Sequence, residues 1–179
     1  MTDHSPAVEL STLDARRGSF NIELSDDALS YRAVRVFGAP PERVYRAFTH
    51  PDDLRVWFPG GAPPGSEMTV CESDPTEGGR YLYRMTVPDF GPMAWFGNYT
   101  AVDAPNQIDA EEWFVMGEGD PEGPPAVQTL TFEPTSDGQT LMTLDVRMPS
   151  PEDPDTFLDQ AGAGLGSSLA VLDEMVSAS

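Results

Sequence analysis

The stretch RAVRVFGAPPERVYRAFTHPDDLRVWF, residues 32–58, carries more structural information than any other part of the chain. Arg32 to Phe37 is dense in β-formers and predicts a strand. Ala39-Pro40-Pro41-Glu42 ends that strand and opens a helix, because proline has its φ preset and its missing N–H is not needed in a first turn. Val44, Tyr45, Ala47 and Phe48 follow at helical spacing. His50-Pro51-Asp52-Asp53 repeats the device, with two carboxylates at the positive end of a second helix whose apolar face is Leu54, Trp57 and Phe58.

Working outward, Phe20 to Leu24 alternates, a turn falls at Asp26-Asp27, and strand character resumes from Leu29 to Phe37. Pro59 to Gly65 reads as a loop. Strands are predicted over Glu67 to Glu72, Arg80 to Val87, Ala94 to Val102, Gln107 to Met116, Ala126 to Glu133 and Thr140 to Met148. The separators are short and rich in Gly, Pro, Asp and Asn, which implies hairpins and an antiparallel meander. Ser150 is placed as the N-cap of a closing helix, with Pro151 in its first position and Asp153 in the manner of a capping box. Phe157, Leu158, Ala161, Leu165, Leu169, Leu172 and Val176 trace one apolar face, which has to be buried against the sheet.

Several of these features, in order, resemble the SRPBCC (START-like) superfamily, and within it the family named after the activator of Hsp90 ATPase homologue 1 (AHSA1-like). They are Arg35 on its strand, Ala39-Pro40, the helix Val44-Tyr45-Arg46-Ala47-Phe48-Thr49, and Pro51 through Leu54 to Trp57. Gly78-Gly79-Arg80, Gly97-Asn98-Tyr99, Thr140 to Leu144 and the run Gly164 to Leu172 follow in the same sequence. The resemblance implies an α+β helix-grip fold, in which a curved antiparallel sheet wraps a long C-terminal helix and two short helices follow the first strand. Residues 1–18 are expected to form a flexible N-terminal extension and residues 19–179 a single domain of this family.

The charge is unusual. The formal net charge is −20, and all ten basic residues counted as Lys or Arg are arginine. Such a field repels phosphate backbones and anionic membrane surfaces, so neither nucleic-acid binding nor membrane insertion is expected. Adaptation to high salt and compositional drift with soluble acidic loops are both compatible with this acidity. The N-terminus lacks a basic start followed by an apolar run, so a cytoplasmic protein is expected.

Catalytic signatures are scarce. His4 lies in the expected extension, and His50 stands where a turn or capping role is natural. Two scattered histidines and the single Cys71, expected as a buried thiol, build no zinc site, and Glu118 to Glu122 lacks the order of a calcium loop. No metal or cofactor is expected. Aromatic and sulfur side chains recur instead at strand spacing. Trp57, Tyr83, Met85, Trp95, Tyr99 and Trp113, together with Leu165 on a closing helix short of large residues, are the candidate ligand-binding residues. Plain core packing is the alternative for each of them.

The leading expectation is therefore a non-catalytic domain, monomer or homodimer, holding a small hydrophobic or amphipathic molecule between sheet and helix. A protein-interaction role, chaperone-associated or in stress response, is what the family name implies as an alternative. A cyclase- or hydrolase-like enzyme, with Arg84, Tyr83 and Glu112 as candidates, is the third.

Overall fold

A computed structural model describes residues 18, 20–150 and 153–178. Eight strands form one antiparallel sheet: β1 (Phe20–Leu24), β2 (Ser30–Phe37), β3 (Glu67–Ser73), β4 (Arg80–Val87), β5 (Gly91–Asp103), β6 (Gln107–Met116), β7 (Ala126–Pro134) and β8 (Thr140–Arg147). Their spatial order is β1-β2-β8-β7-β6-β5-β4-β3. Strands β3 to β8 are a meander, as the short separators predict. The sequence neighbours β2 and β3 stand far apart, and the helices α1 (Pro41–Thr49) and α2 (Pro51–Trp57) connect them. The sheet is curved, and with the closing helix it gives the α+β helix-grip architecture.

Local chemistry sets the helix starts. Pro41 and Pro51 occupy first-turn positions, and His50 caps α2 by accepting the Asp52 N–H at its Nδ1 over 3.4 Å. The buried Trp57 indole donates to the Ala47 carbonyl at 2.8 Å, locking α2 against α1. The run after α2 is not wholly a loop, because Phe58–Gly61 winds into a 3-10 turn.

The closing helix starts later than expected. Asp153 is itself the cap, its Oδ2 accepting the Thr156 N–H at 3.0 Å and the Thr156 hydroxyl at 2.6 Å, with Pro154 opening the short helix α3 (Pro154–Thr156). Ser-Pro and Asp-Pro offer the same signal three residues apart, and the carboxylate provides the cap. Pro151 lies outside the described residues, as does the expected extension apart from Gly18, whose N–H donates to Val36 O at 2.9 Å. A π-helical stretch (Phe157–Gly162) then leads into α4 (Ala163–Ser177).

Helix α4 buries Leu169, Leu172 and Val176 in a core that includes Phe37, Val44, Leu54, Phe132 and Met142. Its small residues allow close approach. A Cβ on Gly61 would collide with the Gly164 carbonyl, and one on Gly166 would stand 3.1 Å from the Phe20 ring. Ser168 Oγ donates to Phe58 O and accepts from Gly61 N, each at 2.9 Å, stitching α4 to the 3-10 turn. Arg35, buried on β2, faces the buried Asp173 of α4 at 3.8 Å, and Asp173 also accepts the Gly38 N–H at 3.1 Å.

Candidate functional site

Between the concave face of the sheet and the closing helix lies a cavity of about 760 Å³. Strand alternation decides what faces it. Tyr81, Tyr83, Met85 and Val87 project inward from β4, and Met93, Trp95 and Tyr99 from β5. Ile108, Ala110, Glu112 and Phe114 come from β6, and Gln128 and Leu130 from β7. Trp57 and Phe58 close one wall, and Phe157, Gln160, Ala161 and Leu165 of the closing helix form the roof. The cavity is open to solvent at one side, where its lining residues Phe90 and Phe114 are 60% and 49% exposed.

Six of the seven candidate residues meet here: Trp57, Tyr83, Met85, Trp95, Tyr99 and Leu165. Trp113 does not. It stands on the convex face, its ring stacked on Phe96 with centroids 6.1 Å apart and its indole donating to Gly123 O at 3.2 Å. The reason is parity: with Ile108 and Ala110 inward, Glu112 and Phe114 must be inward and Trp113 outward. The same rule separates Arg84 from Tyr83 and Glu112. Arg84 is exposed on the outer face of β4, so the three enzyme candidates do not converge.

The small-residue helix has two explanations rather than one. Gly164 and Ser168 serve tight contact with the 3-10 turn, whereas Ala161 and Leu165 leave space that belongs to the cavity.

A polar cluster interrupts the apolar lining. Tyr81 Oη donates to Glu112 Oε2 at 2.9 Å, and Gln128 Nε2 donates to Tyr81 Oη at 3.1 Å and to the same carboxylate oxygen at 3.4 Å. The Tyr83 and Tyr99 hydroxyls are 3.5 Å apart, and Tyr99 shares a 2.8 Å hydrogen bond with Ser73. One side of Glu112 looks into the cavity while the rest is enclosed by protein. Desolvation pushes its carboxyl up to about 7, against the smaller opposing effect of the hydrogen bonds from Tyr81 and Gln128. Burial raises Tyr81, Tyr83 and Tyr99 above the ordinary phenol value, so each is a neutral hydroxyl at working pH.

Gln128 is a member of the site that the sequence reading did not name, and Glu112, named there only as an enzyme candidate, lines the ligand cavity. The signal was a carboxylate on the apolar side of the β6 alternation, partly hidden because its neighbour Glu111 is also acidic. Gly97 belongs to the same group, between Tyr81 and Glu112 in the cross-strand row.

A chain built in this way has known counterparts. The family described as "Activator of Hsp90 ATPase homolog 1-like protein" matches residues 38–177, most of the chain. The chain belongs to this family. None of the curated protein sequences matches it. Among solved structures, protein Ms6760 from Mycobacterium smegmatis is 27% identical with a TM-score of 0.74, the match covering 89% of this chain and 97% of that one. Protein CV1439 from Chromobacterium violaceum is 28% identical with a TM-score of 0.65, covering 83% and 97%. A protein from Staphylococcus epidermidis is 25% identical with a TM-score of 0.71, covering 87% and 93%. Like this AHSA1-like chain, the match spans nearly the whole of each relative. Among the described residues, no helix is long and apolar enough to cross a membrane.

Proposed function

We propose that this AHSA1-like domain is a non-catalytic binding module that holds a small apolar or amphipathic molecule between its sheet and its closing helix. The observation that carries this is the cavity itself. Close-packed interiors leave few voids larger than a water molecule, whereas about 760 Å³ lined mainly by aromatic and aliphatic side chains is the size and character of a small-molecule site. Glu112, Tyr81 and Gln128 supply the few polar handles that orient a ligand in such a pocket.

The test uses N-phenyl-1-naphthylamine, a neutral probe that fluoresces in apolar surroundings. The parent protein is expected to bind it, and Leu165→Trp, which fills the roof of the cavity, is expected to abolish binding while keeping or raising stability. If the region were already packed, the larger side chain would cost about 1–3 kcal/mol. A parent that binds no probe, together with a destabilised variant, overturns the proposal and favours a protein-docking role.

A further inference from the structure

The cavity is chemically one-sided. Among the described residues its only carboxyl group is Glu112, its other polar side chains are phenols, indoles, amides and a serine hydroxyl, and no arginine or histidine lines it. The chain contains no lysine. The two arginines of β4, Arg80 and Arg84, alternate to the opposite face of the sheet. Within the Glu112 carboxylate, Oε2 takes both the Tyr81 and the Gln128 hydrogen bonds, and Oε1 has no donor among the described residues. A carboxylate can accept about four hydrogen bonds, so half of its capacity faces the cavity unused.

A ligand with an anionic head would meet this acid without any counter-charge. A neutral hydroxyl would donate to Oε1 but leave the charge of the ionised acid without a partner. A cationic nitrogen both donates to Oε1 and supplies the counter-charge. We propose that the cavity selects a protonated amine carried on an apolar body, the nitrogen donating to Glu112 and the body lying among Trp57, Trp95, Phe114 and Leu165. This rests on the binding function proposed above and names the ligand class for the same site.

The groups that act on Glu112 are Tyr81 and Tyr83 from β4, Tyr99 from β5, Gln128 from β7 and Tyr31 from β2, while Gln160 and Ser168 of the closing helix line the same cavity. Burial holds all four tyrosines above their ordinary value, so Glu112 alone changes charge near neutrality. An ammonium ion therefore binds the ionised acid, and below neutrality its binding displaces a proton.

The experiment compares decylamine, decanol and decanoate as competitors of N-phenyl-1-naphthylamine, in about 0.5 M NaCl so that the general pull of an acidic chain on any cation is screened. At about pH 8, decylamine is expected to bind about tenfold more tightly than decanol, the scale of a hydrogen bond to a charged group, with decanoate weakest. At about pH 5.5 the amine advantage shrinks as Glu112 takes up its proton. In Glu112→Gln the ratio of amine to alcohol affinity falls to about one, judged as a ratio within that variant. If that variant does not fold, calorimetry of decylamine binding to the parent at about pH 6, in buffers of different ionisation enthalpy, is expected to show proton release. Decanol binding as well as decylamine, or an amine preference that survives in Glu112→Gln, overturns the inference and leaves the binding function standing. Failure of all three compounds and of the probe overturns both.

Discussion

Tyr81 reaches Glu112 across an intervening strand, its hydroxyl donating to Glu112 Oε2 at 2.9 Å, because the residue between them in the cross-strand row is Gly97. Any side chain there would occupy the path of the phenol. A Cβ on Gly97 would stand 2.7 Å from the Tyr81 hydroxyl oxygen and collide with the Glu111 carbonyl. The glycine thus places the acid and its donor at one end of the cavity.

Gly97→Ala is expected to destabilise the protein by about 1–3 kcal/mol through overpacking and to disturb the Tyr81–Glu112 contact. Urea unfolding of parent and variant measures the cost. An unchanged midpoint would show that the row tolerates a methyl group and that the glycine does not hold the tyrosine in place.

Glu112 makes stability pH-dependent with a definite sign. Its folded-state value is raised from 4.5 to about 7, so the folded protein holds this proton more tightly than the unfolded chain does. The associated stability is fully present below about 4.5 and is lost as pH rises through 7. Glu112→Gln is therefore expected to be more stable than the parent by about 1–3 kcal/mol at pH 8, with the difference shrinking toward pH 5. Only the difference between the two proteins is diagnostic, since the many other carboxylates titrate in both.

Arg35 and Asp173 join β2 to α4 inside the protein. Asp173→Ala removes the carboxylate that faces the buried Arg35 and accepts the Gly38 N–H, and is expected to cost about 3 kcal/mol in urea or thermal unfolding. Replacing both residues with apolar ones, as in Arg35→Met with Asp173→Leu, should recover part of that loss. A single variant as stable as the parent would mean that the ion pair has little part in seating the helix.

The net charge of −20 sets up a test of its own. If self-repulsion among exposed carboxylates limits stability, the unfolding midpoint should rise between low and molar NaCl, where screening acts over about 3 Å. Sodium sulfate stabilises proteins generally by exclusion from their surface, so NaCl is the discriminating salt. A flat response would assign the acidity to compositional drift.

What the sequence determined by itself were the features written within a few neighbouring residues. Proline at the starts of α1 and α2, the His50 cap, period-two runs for the strands and three-four spacing in α4 all depend on local sterics and hydrogen bonding, and they appear where the pattern puts them. Where two local signals competed, as at Ser150-Pro151 and Asp153-Pro154, the pattern could not choose between them. The cavity was a different matter. Which face of β6 is inward follows from its register against β5 and β7, and this turned Trp113 to the convex side and Glu112 to the concave one. The roles of Gly97, Gln128 and Gly164 exist only between elements far apart in the chain. Burial raises the proton affinity of Glu112, and burial is a property of the packed sheet and helix together, so the chemistry of the site was decided by tertiary structure.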